Sequence, residues 1–107
     1  MALVTRSFIN SNADIEVLDS VGGMFDITYV NSVGTPVDIS TNTVNFECGS
    51  LVIALAANGT GKRLTLSPAN MVTLKAEDAT RFAVINRTSD PDEILWEGNI
   101  FIRTVGA

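Results

Sequence analysis

The chain has 107 residues, the size of one small domain, and carries a formal net charge of −5. Hydrophobic residues make up 46% of it and charged residues only 18%, and Ser, Thr, Asn and Gly take the place of the missing charge. Seven basic residues against twelve acidic ones form no basic patch, which argues against nucleic-acid binding through phosphates. No basic leader precedes an apolar run, and no apolar run reaches the roughly 18 residues that span a membrane. We therefore expect neither a signal peptide nor a membrane span.

The residue types also argue against catalysis. There is no histidine to activate a serine or cysteine, and the two lysines, Lys62 and Lys75, lie in or beside predicted turns. The single cysteine, Cys48, alternates with Val44 and Phe46 along an apolar face, which favours a small buried hydrophobic residue. We predict that the protein is not an enzyme and uses no metal and no cofactor.

Short apolar runs separated by turn residues recur along the chain, while helical periodicity is almost absent. In the first half the runs cover 3–9, 15–18, 24–30, 37–40 and 43–48. In the second half they cover 51–57, 62–66, 71–74, 81–86 and 94–103. This spacing is typical of many short strands joined by tight turns.

Glycine and proline indicate how the strands are joined. Gly34 and Pro36 mark one turn, and Asn58-Gly59 is a strong hairpin signal. Ser67-Pro68 predicts one turn of helix, with the serine as its cap. Gly98 interrupts the last run and predicts a β-bulge.

Together these patterns predict an all-β fold, an immunoglobulin-like β-sandwich of seven to nine short, mostly antiparallel strands. A small closed barrel is the rival architecture. Residues 1–107 are expected to form a single domain, in which 1–14 are either an extended arm or the first strand.

Two motifs resemble functional sites without meeting their requirements. The segment Gly59-Thr60-Gly61-Lys62-Arg63 ends like a phosphate-binding loop, but Ala56 replaces the first glycine and Arg63 replaces the magnesium-binding serine or threonine. A hairpin with solvated basic ends is the simpler interpretation. The acidic residues around Pro91 and the pair Glu77-Asp78 lack calcium-loop spacing, and they are better explained as turn residues.

The run from Leu51 to Ala57 is the main candidate for a binding surface. It is apolar on both faces, whereas a sandwich strand normally shows one face to water. Either a loop or the N-terminal segment covers the second face, or another subunit does. Trp96 is a core aromatic, an interface anchor or a platform for a ligand. The candidate interface residues are Leu51, Val52, Ile53, Ala54, Leu55, Ala56 and Trp96.

Several stretches resemble a known family in order and spacing. The segment DITYVNSVGTPVDIS at 26–40 resembles the early strand and Gly-x-Pro-Val-Asp turn of small bacteriophage virion domains. The stretches LTLS at 64–67, RFAVIN at 81–86 and ILWEGNIFI at 94–102 are similar to that family's closing strands. Such domains occur at the front of baseplate and tail-fibre proteins and as separate small virion proteins. The resemblance covers about residues 15–105, and it implies an immunoglobulin-like sandwich without catalytic residues.

We therefore expect a bacteriophage structural protein of the virion: a tail, baseplate or fibre-attachment component, or a capsid decoration. Its expected partners are other virion proteins and further copies of itself. Neither nucleic acid nor a membrane is an expected partner. The alternative is a carbohydrate-binding module for host-surface glycans, which would need an exposed cluster of aromatic residues.

Overall fold

The computed structural model describes residues 2–8, 11–12, 14–30, 33–88 and 91–104, and in it two β-sheets pack face to face beside one helix. The predicted all-β sandwich is confirmed. The described strands are β1 (Ala2–Phe8), β2 (Ser11–Asn12), β3 (Ile15–Leu18), β4 (Gly23–Val30), β5 (Pro36–Val37), β6 (Val44–Cys48), β7 (Leu51–Ala54), β8 (Ala56–Asn58), β9 (Gly61–Leu66), β10 (Arg81–Asn86) and β11 (Glu93–Arg103). The helix is α1 (Pro68–Ala76).

The described residues form eleven strands, more than the seven to nine predicted. Two of them, β2 and β5, contain only two residues each, too few to produce a recognisable apolar period. In addition, the single apolar run 51–57 is divided between β7 and β8. The predicted number of strands was therefore wrong, because the length of an apolar run does not reveal where the chain changes its pairing partner.

The first sheet has the order β1-β4-β9-β8, and β5 also pairs with β4. Strand β1 runs parallel to β4, from Ala2 opposite Gly23 to Phe8 opposite Tyr29. The other pairings in this sheet are antiparallel. The described part of the N-terminal segment thus contributes an edge strand, which agrees with one of the two expected forms of residues 1–14.

The second sheet has the order β2-β11-β10-β6-β7, and β3 also pairs with β11. Both β2 and β3 run parallel to β11. They share one register, because each of their paired residues lies opposite the β11 residue that is 85 positions later in the sequence. Between these strands the Asp14 carboxylate accepts a hydrogen bond from the Asn99 backbone N–H at 3.0 Å. The N-terminal part of the chain therefore supplies strands to both sheets.

The core lies between the sheets and is centred on aromatic rings. Trp96 meets Phe82 edge-on at 4.9 Å between ring centroids and Phe25 at 5.9 Å. Such edge-on pairs add about 0.5–1.5 kcal/mol beyond the burial of apolar area. The thiol of Cys48 is buried in the same core, as predicted, and burial raises its pKa.

Helix α1 is longer than the single turn predicted at Ser67-Pro68. Its N-cap is as expected, since the Ser67 hydroxyl accepts from the Asn70 N–H at 3.2 Å and the Asn70 side chain accepts from the Ser67 N–H at 2.8 Å. Met71 and Leu74, three residues apart, are fully buried. Two inward residues are too few to give a visible helical period, and the helix was therefore underestimated.

The β-bulge lies three residues before the predicted position. Gly98 pairs regularly with Phe82, whereas the register shifts between Trp96 and Ile94, so that Leu95 is the extra residue. Leu95 and Trp96 are consecutive and both fully buried. A bulge permits this because two residues of one strand then face one residue of its neighbour.

The predicted turn at Gly34 is present, with a φ of 84° that favours glycine. Asn31 and Ser32 of the same predicted turn lie outside the described residues.

Candidate interaction surface

The edges of the two sheets meet in one continuous segment, Leu51–Asn58, which we call the edge segment. Strand β7 is the last strand of the second sheet, and β8 is the last strand of the first. Leu55 stands between them, and its N–H donates to the Val44 carbonyl at 2.9 Å. One segment therefore closes the same side of both sheets.

The two faces of the edge segment differ in burial. Leu51 and Ile53 are half-buried against the core, and Leu55 is buried within it. On the other face Val52 is 58% exposed, and Ala54 and Ala56 are exposed as well. Within the part of the chain that the structure describes, neither a loop nor the N-terminal segment covers this second face. The second face of the run is therefore exposed among the described residues, and its cover by another subunit stays a prediction.

The outer backbone of β7 is available for pairing. In the β6–β7 hairpin, Cys48 and Leu51 flank the two-residue turn Gly49-Ser50. Opposed residues of an antiparallel pair alternate between hydrogen-bonded and non-bonded pairs, so Leu51 and Ile53 bond to β6. The N–H and C=O groups of Val52 and Ala54 therefore point away from the sheet. By the same alternation in the β8–β9 hairpin, the backbone groups of Ala57 point outward.

The edge segment carries no charge, although the chain as a whole is acidic. Residues 48–61 form the longest stretch of the sequence without Asp, Glu, Lys or Arg. Two ion pairs lie beside it: Arg87 contacts Glu47 at 2.5 Å, and Arg63 contacts Asp26 at 2.6 Å. Natural edge strands usually carry lysine, proline or a bulge that blocks pairing with other chains. None of these occurs between residues 51 and 58.

A carboxylate from the end of α1 holds the turn that begins the edge segment. Glu77 accepts a hydrogen bond from the Ser50 N–H at 3.0 Å and a second from the Ser50 hydroxyl. These two bonds lower the pKa of the Glu77 carboxyl below its ordinary value. Gly49, with a φ of 59°, leaves room for the carboxylate, because a Cβ there would lie 2.5 Å from Glu77 Oε1. The start of β7 is therefore fixed from outside the hairpin.

Trp96 does not belong to this surface. It is fully buried in β11, and β10 and β6 lie between that strand and β7. Its interpretation as a core aromatic is the one that the structure supports, and the proposed surface no longer includes it. The carbohydrate-binding alternative requires an exposed cluster of aromatic residues. Among the exposed large hydrophobic residues that the structure describes, Phe101 is the only aromatic one.

The hairpin predicted at Asn58-Gly59 is confirmed, but its basic ends are not solvated as expected. Lys62 is only 6% exposed, and its ammonium donates to the Ser40 carbonyl at 2.9 Å. It lies opposite Ile27 on the inner face of the first sheet, where its stem covers the end of the core. Arg63 points to the outer face and pairs with Asp26 through two hydrogen bonds.

Sequence reasoning did not find a groove at the end of the sandwich, because α1 was underestimated. The groove has a volume of about 680 Å³ and lies between the end of α1 and the end of β11, with Leu74, Lys75 and Phe101 among its lining residues. Ion pairs of Lys75 with Asp19 and of Arg103 with Glu16 occupy its rim.

The described residues contain no group of three or more cysteine, aspartate or glutamate residues placed to hold a metal ion. No helix among them is long and apolar enough to cross a membrane. Asp90, one of the acidic residues around Pro91, lies outside the described residues.

Comparison with known proteins gives a likeness of fold. No protein-family model matches the chain, and no curated protein matches it. Among solved structures, the N-terminal domain of phage TP901-1 ORF48 is similar, with a TM-score of 0.56 at 9% sequence identity. The likeness covers 96% of this chain and 99% of that one. The two domains therefore share one fold from end to end.

Proposed function

We propose that the protein is a structural component of a bacteriophage virion and that it acts through protein–protein contacts at the edge segment. A tail, baseplate or fibre-attachment position is the first choice, and a capsid decoration is the second. Two independent observations support the proposal. The sequence motifs resemble those of small virion domains, and the whole fold is similar to that of a phage protein domain.

The binding role rests on the edge segment, which carries no charge and forms the edge of both sheets. Val52, Ala54 and Ala56 are exposed, and they lie beside backbone groups that no described residue satisfies. An exposed strand edge with apolar side chains favours the addition of a strand from another chain. The main-chain hydrogen bonds give affinity in that mode, and the small side chains permit close approach.

The virion assignment is tested on particles of the phage that carries this gene. Particles purified by density gradient are analysed by mass spectrometry, and the abundance of this chain is compared with that of a major virion protein. We expect a fixed ratio between the two proteins across repeated purifications. A chain that is abundant in infected cells but absent from purified particles would overturn the proposal.

The role of the edge segment is tested by complementation with two matched variants. Val52→Lys places a charge on the exposed edge, whereas Val72→Lys places the same charge on the exposed side of α1. We expect the Val52 variant to be lost from particles and the Val72 variant to be retained. Equal incorporation of the two folded variants would show that binding uses another surface.

A further inference from the structure

We propose that the partner of β7 is the β7 strand of a second copy of this chain. The two strands pair antiparallel across a two-fold axis and join the second sheets of both copies into one continuous sheet. This inference rests on the proposed function, because it names the occupant of the same surface.

The outward backbone groups fix the geometry of this pairing. Val52 and Ala54 point their N–H and C=O groups away from β6, so each is a hydrogen-bonding residue of the free edge. In the symmetric register, Val52 lies opposite the second copy's Ala54, and the two Ile53 residues face each other on the axis. Each Val52–Ala54 pair exchanges two hydrogen bonds, which gives four across the interface. Such an interface is isologous, because both copies use the same residues.

Charge restricts where two copies of the chain can meet. Two copies with a net charge of −5 each repel one another over most of their surfaces. The edge segment lies in the longest uncharged stretch of the sequence, and the Glu47 carboxylate, opposite Val52 on β6, is paired with Arg87. The copies can therefore approach at this edge without bringing like charges together. An acidic or basic partner would find no complementary charge there.

The size of the edge indicates a weak dimer. Four residues of β7 extend about 13 Å, and three residues of β8 continue the edge in the other sheet. A contact of this size lies at the low end of specific interfaces, for which we expect a dissociation constant of roughly 1–100 µM. Such an affinity is compatible with assembly in a particle, where neighbouring copies are held close together.

Sedimentation equilibrium of the full chain tests the association. The mass should rise with concentration from 11.4 kDa for one copy toward 22.8 kDa for two (2 × 11.4). Val52→Lys should raise the dissociation constant by about tenfold or more, because the two new like charges become diagonal neighbours across the axis. Val72→Lys should leave it unchanged. Thermal melts of both variants establish that each is folded.

A cysteine cross-link tests the register. Ile53→Cys places two thiols opposite each other in a non-hydrogen-bonded pair, where the Cβ atoms lie close enough for a disulfide after small adjustments. Mild oxidation should give a covalent dimer, while Val72→Cys, on the helix, should give little. The native thiol of Cys48 is buried and does not compete.

The possible outcomes separate the two proposals. A wild-type chain that stays at 11.4 kDa up to several hundred micromolar overturns the dimer, even if the chain is found in particles. A dimer that persists unchanged in Val52→Lys, or that fails to cross-link through Ile53→Cys, also overturns this interface. Loss of the Val52 variant from particles combined with a monomeric wild type would assign the edge to a different virion protein. The particle experiment alone decides the virion assignment.

Discussion

A side-chain hydrogen bond joins the two sheets away from the edge segment. The hydroxyl of Tyr29, on β4, donates to the Glu93 carboxylate, on β11, at 2.9 Å. The bond to the carboxylate and partial burial both raise the pKa of Tyr29 above its ordinary value. The contact therefore stabilises the packing of one sheet on the other.

Tyr29→Phe should lower the free energy of unfolding by about 1 kcal/mol at pH 7, because the carboxylate loses a donor while the ring remains. The raised pKa means that the folded state favours the protonated phenol. The stabilisation is complete below the unfolded pKa of about 10, and it is lost as the pH rises through the higher folded value. Urea unfolding from pH 7 to pH 11 measures both effects. A wild type and a variant of equal stability at pH 7 would contradict the prediction.

Gly22 is required for two separate reasons. Its φ is 73°, and a Cβ at this position would lie 1.9 Å from the Leu66 carbonyl oxygen. Gly59 shares the positive φ, at 62°, but nothing lies within 4 Å of a Cβ there. The two positions therefore separate backbone strain from steric overlap.

We expect Gly59→Ala to cost about 1–2 kcal/mol, the strain of a left-handed residue. Gly22→Ala should cost at least about 1–3 kcal/mol more, because β4 must also move away from β9. Chemical denaturation of both variants measures the difference. Equal losses would show that the backbone around Gly22 adapts without cost.

At the scale of elements, Glu77 couples the end of α1 to the turn between β6 and β7. Its pKa is lowered by the two hydrogen bonds from Ser50. A lowered folded pKa contributes stability that is present above the unfolded value of about 4.3 and is lost as the pH falls through the folded value. The wild type should therefore lose stability between about pH 5 and pH 3 partly through this contact.

Glu77→Gln should reduce the melting temperature at pH 7 and weaken its decline on acidification. Melting curves at several pH values measure this dependence. Asp78→Asn, which changes the adjacent carboxyl, is the matched control. A decline of the same steepness in Glu77→Gln and in the wild type would contradict the role assigned to Glu77.

The strands were predictable from the sequence where apolar alternation is regular, and their partners were not. The run 51–57 revealed an unusual second face, but its period continues through Leu55 and gives no sign of the change of sheet. Leu95-Trp96 is ambiguous because two consecutive apolar residues break the alternation, and only the bulge explains why both are buried. The parallel pairing of β1 with β4 leaves no mark in either strand, because register depends on contacts distant in sequence.

At the scale of the whole molecule, β11 is the strand on which the second sheet depends. It pairs with β10 on one side and with β2 and β3 as well. A chain ending at Asp92 removes all three pairings together with the buried Leu95, Trp96 and Ile100. We expect this chain to be unfolded by circular dichroism and NMR. A chain ending at Thr104 keeps every described strand and should fold, and cooperative melting of the Asp92 truncation would contradict the prediction.

The constant offset of 85 residues between β3 and β11 also affects synthesis. When β3 leaves the ribosome, its pairing partner has not yet been translated. At about 5–20 residues per second, β11 follows roughly 4–17 s later. During this interval the inward side chains of β3, Ile15 and Val17, have no strand beside them, and the nascent chain is exposed to chaperones and proteases. The sandwich can therefore be completed only after β11, the last of the described strands, has been synthesised.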